Sequence, residues 1–566
     1  MDYKNYNPRA AALAQARTLL TDAVKAAVAD GTLPEAALPD FIVEIPADVK
    51  NGDIASNVAM AGARAFHKAP RQIAEAITAK LQLDGSLFDR FEVAGPGFIN
   101  LFLGQDWFTS VVRAAVANPE YGRTDAGAGK KYNVEFVSAN PTGPMHMGNA
   151  RGGALGDGLA ACLDWAGYDV TREFYINDAG NQIEKFGLSL EVRYLQLFLG
   201  DQAPEMPEDA YHGDDIREHA RHYADEHGDT LVALPSDQRR KALVAYALPL
   251  NIEKMKADLL KYRIEYDQWF RESSLHDDGE VREVLDLLGQ KGLTYEKDGA
   301  LWYKASENGG EKDEVLVRAN GTPTYFAADI AYHRNKFRRG FDTCIDVWGA
   351  DHHGHVARMK GAMDAVGLDG SKLQVVLIQL VRLMRDGEVV RMSKRSGKAI
   401  QLADLLDEVP VDAARFFFNL REANSRMDFD LDLAVEQSAS NPVYYVQYAH
   451  ARICSLFRNL QSEGVTLRPC SPEELSLLSA PEEKELIRHL AAYPGEIVAA
   501  AKDYDPARMT RYCMDLASLF HKFYNACRVK GEEERLLQAR LSLCAAARYT
   551  LKNALILLKI DAPESM

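Results

Sequence analysis

Residues 138–151 read SANPTGPMHMGNAR. The stretch lies between an apolar, strand-like run from Tyr132 to Val137 and a helix-like run from Met147 to Ala166. One reading is a stiff strand-to-helix connection, with Gly143 at a tight bend and Pro144 in a first helical turn. The other is a phosphate site, because a helix N-terminus presents unpaired N–H groups and a partial positive charge. A basic motif far along the chain separates the two.

The flanking pattern predicts a parallel sheet. YNVEFV (132–137) reads as a strand, 147–166 as a helix stopped by Gly167, and DVTREFYI (169–176) as a second strand. The same order returns in DTCIDVW (342–348), HGHVARMKGAMDAV (353–366, stopped by Gly367) and LQVVLIQLV (373–381). Continuous apolar strands separated by helices imply a sheet covered on both faces. Ligands of such sheets bind at the carboxyl ends of strands, where strand order reverses. HMGN (146–149) and GADHH (349–353) both follow strands and belong at that rim.

Residues 1 to about 115 read as a small α/β unit, with helices over 9–29 and 70–82 and strands at 41–45 and 97–103. NPEYGRTDAGAGKK (118–131) is turn-rich and reads as a linker. The region 180–340 is charged and largely helical, then carries a hairpin: ALWYK and EVLVR flank an ENGGE turn. From about 405, Tyr, Phe and Leu recur at helical spacing, predicting an all-α C-terminal domain.

Bulk properties narrow the function. The 566 residues suffice for several domains. No run of about 18 apolar residues appears, so no membrane span is expected. The opening MDYKNYNPRAAALAQA lacks a basic region followed by an apolar block, and no secretory signal is expected. Seven scattered cysteines without a CxxC pair fit a reducing cytoplasm and argue against a thiolate zinc site. DHHGH (351–355) has enough histidines for a metal, but adjacent His352 and His353 cannot both face one ion from a regular helix. No metal site is assigned. The net charge of −16 argues against indiscriminate nucleic-acid binding. Residues 441–566 nevertheless hold 16 basic against 15 acidic side chains, while the rest of the chain carries 50 against 67.

The second motif is VVRMSKRSGKA (389–399). A basic loop of this kind is usually a solvated surface. Paired with HMGN on one sheet, it can hold the far end of a triphosphate, with Lys394 and Arg391 neutralising a departing pyrophosphate and His146 near the α-phosphate. No GxxxxGK[ST] sequence exists, so this is not a P-loop.

SANPTGPMHMGNARGGALGD resembles the His-x-Gly-His signature region of class I aminoacyl-tRNA synthetases, and RMSKR is similar to their K-M-S-K-S loop. VEFVSANPTGP, FYINDAGNQI, TYFAADIAYH, WGADHHGHVARM, NPVYYVQYAHARI and GDIASNVAMAGARAFHKAPRQIAEAI resemble the arginyl-tRNA synthetase family in particular. The resemblance covers nearly the whole chain. It implies a multidomain protein: a small N-terminal α/β tRNA-binding domain (1–117), an α/β Rossmann-like catalytic domain with a parallel sheet and with helical and hairpin insertions (118–405), and an all-α anticodon-binding bundle (406–566). The implied activity joins L-arginine to its tRNA through an arginyl-adenylate, with ATP and Mg²⁺. It also implies a cytoplasmic monomer whose adenylation step needs bound tRNA.

By the same resemblance, Pro144, His146, Gly148, Asn149, Met392, Ser393 and Lys394 bind ATP, and His146, Asn149, Arg391 and Lys394 are catalytic. Glu135, Ser138, Asn140, Tyr325, Asp329 and His352 form the arginine site. A guanidinium fits such a set, since carboxylates and planar acceptors give it paired hydrogen bonds. Tyr325 and Asp329 are four apart and share a helix face. Two positions depart from the family pattern. Asn149 replaces the final signature His and cannot carry charge. Arg391 replaces the first Lys of the loop. In the C-terminal domain, Tyr444, Tyr448, Tyr524, Arg528 and Met566 are implied tRNA contacts, through stacking and charge. Core packing is the competing reading for each aromatic. A lysine enzyme of the same class and a catalytically silent tRNA-binding protein remain as alternatives.

Overall fold

The computed structural model describes residues 3–390 and 400–566. At its centre is a five-stranded, all-parallel sheet. Its strands are β1 (Lys131–Glu135), β2 (Asp169–Ile176), β3 (Gln268–Arg271), β4 (Thr343–Gly349) and β5 (Leu373–Ile378), in the spatial order β5-β4-β1-β2-β3. The chain starts in the middle, moves outward through β2 and β3, then returns to the other side of β1. That reversal puts the topological switch point between β1 and β4.

Helix α1 (Gly148–Trp165) connects β1 to β2, α2 (Tyr325–Arg338) enters β4, and α3 (His353–Ala365) connects β4 to β5. Helix α1 is rich in glycine and alanine, which gives poor intrinsic propensity. Burial explains it: thirteen of its residues are buried. The absence of side chains at Gly153, Gly156 and Gly158 lets β1, the Tyr262–Ile264 segment and the C-terminal domain approach closely. Asp157, fully buried on this helix, is held by Arg415 at 2.5 Å and Arg172 at 3.1 Å, joining α1 to the helix 411–418 and to β2.

The N-terminal region is a four-stranded antiparallel sheet with helices Pro8–Ala29, Val58–Phe66, Pro70–Thr78 and Gln105–Ala117. Its expected strands appear at Val43–Glu44 and Phe98–Leu103, joined by Ile54–Ser56 and Phe88–Ala94. The last is an edge strand whose middle residues are exposed, so it shows no apolar alternation. The hairpin expected around ENGGE forms, with strands Ala300–Tyr303 and Glu314–Val317, and gains a third strand, Thr294–Lys297. The C-terminal helices include Pro442–Ser462, Pro481–Asp503, Ala507–Ala526 and Glu534–Leu557.

Two expectations need correction, those for 373–381 and Pro144. The run 373–381 is not one strand: β5 ends at Ile378, and Val381–Arg385 begins a separate sheet, pairing in parallel with Met427–Asp430. Apolar content alone could not show that break. From 402 onward every described element but the short strand Met427–Asp430 is a helix. Segment 118–131 is turn-rich and joins two elements, as read, and it is tied down: Thr124, Gly127 and Gly129 donate to the carbonyls of Trp165, Ala166 and Gly167 at the end of α1. Pro144 is not in a first helical turn, since α1 starts at Gly148 with Met147 as its N-cap.

A Cβ at Gly156 would stand 2.3 Å from Cγ of the fully buried Phe136. Gly156→Ala is therefore expected to lower unfolding free energy by about 2 kcal/mol through overpacking. Phe136→Leu in the same background should recover part of that loss in urea denaturation.

Candidate active site

At the switch point, Glu135 of β1 and Asp346 of β4 are register partners on neighbouring parallel strands, and both are buried. Two carboxylates side by side in a protein interior cannot both ionise without a cation. Lys336, fully buried on α2, supplies it. Its Nζ donates to Asp346 Oδ1 at 2.7 Å and also to Glu135 Oε2. One turn earlier on α2, His333 Nε2 lies 2.6 Å from Asp346 Oδ2. Burial pushes Asp346 up, but Lys336 and His333 overcome it and hold the carboxyl at about 2. Burial opposes the charge on Lys336, yet Asp346, Glu135 and Glu173 keep it well above the usual ammonium range. At Glu135 burial outweighs Lys336, and the carboxyl is raised. The neighbouring Glu173 of β2 is satisfied separately, by Arg339 at 2.6 and 2.8 Å, Tyr332 at 2.7 Å and Asn133 at 2.9 Å.

Above this floor opens a cavity of about 730 Å³, lined by all six residues expected to form the arginine site: Glu135, Ser138, Asn140, Tyr325, Asp329 and His352. Tyr325 and Asp329 stand one turn apart at the start of α2, as their spacing required. Backbone strain concentrates in the same wall. Val137 and Ser138 have φ of 70° and 42°, a region that a β-branched residue rarely occupies. Hydrogen bonds enforce the turn: Ser138 N–H donates to Phe136 O, Ser138 Oγ donates to Glu135 Oε1 at 2.8 Å, and the Tyr175 N–H donates to Ser138 Oγ at 3.1 Å.

The same β1–α1 connection, residues 136–147, runs on into the helix mouth. His146 is exposed, and its Nδ1 accepts from Gly148 N–H at 3.0 Å. In the neutral ring this leaves the proton on Nε2, available to a ligand. Asn149 N–H donates to His146 O at 3.0 Å, and Pro144 lies in the turn before it. None of Pro144, His146, Gly148 and Asn149 lines the cavity wall; they follow in the chain from Asn140, which does. Arg391, Met392, Ser393 and Lys394 lie outside the described residues. The segment following them is tied to the helix mouth: Met147 N–H donates to Ile400 O and Leu402 N–H to Met145 O, both at 2.9 Å, and His146 pairs with Gln401 as an antiparallel bridge.

In the C-terminal region, Tyr448 and Tyr524 share one surface cluster. Tyr448 lies 6.1 Å from the His521 ring, Arg452 contacts His521 at 3.1 Å, and the Arg452 guanidinium sits 4.5 Å over Tyr524. Tyr444 is half-buried one turn before Tyr448, and Arg528 and Met566 are exposed. The chain end lies along the same helix, with His450 contacting Pro563 O and Arg458 donating to Glu564 O, both at 2.9 Å.

Several cavity residues carried no sequence assignment: Tyr175, Asn177, Gln182, Glu314, His355 and Arg358. FYINDAGNQI and DHHGH contained four of them, but only tertiary contacts show which side chains face inward. Buried Glu272 stands behind the wall. Desolvation raises its carboxyl to about 7 against the pull of the Tyr175 hydroxyl, which donates at 2.8 Å, while Asp329 and Asp178 push it further up.

The sheet order, the switch-point cavity and the stitched helix mouth define the catalytic unit of a class I aminoacyl-tRNA synthetase. Family models identify an arginyl-tRNA synthetase N-terminal domain over 15–103, a class I (R) tRNA synthetase catalytic domain over 111–456 and a DALR anticodon-binding domain over 446–566. The arginine–tRNA ligase of Acetivibrio thermocellus is 56% identical over 554 residues, covering 98% of each chain. That of Caldanaerobacter subterraneus is 57% identical over 552 residues, covering 97% of this chain and 98% of its own. The arginyl-tRNA synthetases of Thermus thermophilus (TM-score 0.70, 23% identity, 96% of this chain and 99% of that one) and Plasmodium falciparum (TM-score 0.71, 19% identity, 98% and 99%) share the fold. The chain belongs to the arginyl-tRNA synthetase family, and its activity is the ATP-dependent charging of tRNA with arginine in translation.

Lys336→Met would strand two buried carboxylates. It is expected to lower unfolding free energy by about 3–5 kcal/mol in urea titration. Asp346→Asn in the same background should recover part of that loss by removing one uncompensated charge.

Proposed function

We propose that L-arginine occupies the 730 Å³ cavity with its guanidinium against Tyr325 and Asp329 and its amino-acid head toward Asn140, bordered by Glu135, Ser138 and His352. ATP lies at the mouth of α1, on Pro144, His146, Gly148 and Asn149, and is also bound by Met392, Ser393 and Lys394. The convergence of all six arginine-site residues on one cavity beside the helix mouth supports this reading most strongly.

The reaction then runs in two displacements. The arginine carboxylate attacks the α-phosphorus in line, the bond to the bridging oxygen breaks, and pyrophosphate leaves with its charge met by Lys394 and Arg391. His146 Nε2–H and the amide of Asn149 hydrogen-bond the phosphate oxygens. Because Asn149 is neutral, the positive charge comes from the loop and the helix N-terminus. In the second step a hydroxyl of the terminal tRNA adenosine attacks the arginyl carbonyl and AMP leaves. Mg²⁺ neutralises triphosphate charge when bound. Among the described residues no group of three His, Cys, Asp or Glu could hold a metal ion.

Residues 1–117 act as the additional tRNA-binding domain, 118–405 as the catalytic domain and 406–566 as the anticodon-binding domain. The Tyr448–His521–Arg452–Tyr524 cluster, with Tyr444, Arg528 and Met566 along the same region, forms the anticodon surface. No helix among the described residues is long and apolar enough to cross a membrane. The enzyme works as a cytoplasmic monomer, and bound tRNA is needed for adenylation.

Loss of a charged partner is worth about 1.5–3 kcal/mol, so Asp329→Asn should raise KM for arginine roughly 10- to 100-fold in aminoacylation. Tyr325→Phe should have a smaller effect in the same direction. An Asp329→Asn enzyme with unchanged KM for arginine would overturn the placement of the guanidinium.

A further inference from the structure

Asp329, on α2, has no lysine or arginine partner among the described residues. The basic side chain beside it is a histidine. His355, in the first turn of α3, places Nε2 at 3.3 Å from Asp329 Oδ2. The other ring nitrogen is committed. Arg358 Nε–H donates to His355 Nδ1 at 3.2 Å, and Arg358 Nη2 lies 2.5 Å from the same atom. A guanidinium can only donate, so Nδ1 must accept, and the ring proton therefore sits on Nε2, the nitrogen 3.3 Å from Asp329. Arg358 is itself anchored by an ion pair with Glu314, on the hairpin strand Glu314–Val317. The imidazole is also packed between Trp348 at 5.3 Å and Phe326 at 5.8 Å. All four members of this chain, Glu314, Arg358, His355 and Asp329, line the cavity.

We propose that His355 is a positioning residue for amino-acid recognition: aligned by Arg358 and Glu314, it donates from Nε2 to Asp329 and fixes that carboxylate for the incoming guanidinium. The inference rests on the placement of the guanidinium against Asp329 given above. A hydrogen bond from a neutral ring orients the carboxylate without cancelling its charge, which a lysine at the same place would do. The arrangement also gives the hairpin insertion a role in substrate selection, since its Glu314 sets the far end of the chain.

The test compares His355→Gln, which keeps an N–H donor, with His355→Leu, which keeps volume but cannot donate. Each is made alone and with Asp329→Asn, and aminoacylation is measured at varied arginine. His355→Leu should raise KM for arginine roughly tenfold with kcat within about threefold, while His355→Gln stays within about threefold of the parent in both. Adding His355→Leu to Asp329→Asn should change KM by less than about twofold, because the residue acts through that carboxylate. Equal KM increases in the Leu and Gln variants, a loss confined to kcat, or an effect that multiplies in the Asp329→Asn background would each overturn the proposal. If Asp329→Asn alone leaves KM unchanged, the guanidinium placement fails, and the proposal with it. If Asp329→Asn raises KM and His355→Leu does not, only the positioning role falls.

Discussion

Two carboxylates, Glu135 and Asp346, face each other across the central pair of a parallel sheet, and one buried ammonium, Lys336, satisfies both. The rest of the site depends on this arrangement. Without the cation the strands could not carry acids at adjacent register positions where the strand order reverses. With it, α2 is locked against the sheet by Lys336 and His333, and its first turn presents Tyr325 and Asp329 to the cavity. The floor is thus acidic and rigid, and an acidic, rigid cleft suits a ligand bearing a planar cation.

The helix mouth is built by a different means. The connection 136–147 serves two tasks in succession: its strained beginning, at Val137 and Ser138, forms cavity wall, and its end opens the helix. Backbone pairing of 145–147 with 400–402 then brings together segments about 250 positions apart.

Much of the fold was legible because its elements obey local rules. DVTREFYI forms a strand over the residues read, Gly167 and Gly367 adopt positive φ just beyond the ends of α1 and α3, and the four-residue spacing of Tyr325 and Asp329 placed them on one face. The misses share a physical cause. Lys336 looks like any polar residue near the end of a helix, and only its meeting with strands far away in sequence gives it a role. His355 was visible as part of DHHGH, but its tautomer is set by Arg358, one turn later, and by Glu314 on the hairpin. The split of 373–381 between two sheets reflects pairing with Met427–Asp430, which local hydropathy does not encode.

The most direct measurement is a crystal structure of the full chain with a non-hydrolysable sulfamoyl analogue of arginyl-adenylate. The guanidinium should lie in hydrogen-bond contact with Asp329 and beside Tyr325, with the sulfamoyl group at the first turn of α1 near His146. A guanidinium found outside the cavity, or on the Glu272 side of Tyr325, would contradict the central claim that Asp329 and Tyr325, held in place by the Lys336 cluster, receive the guanidinium.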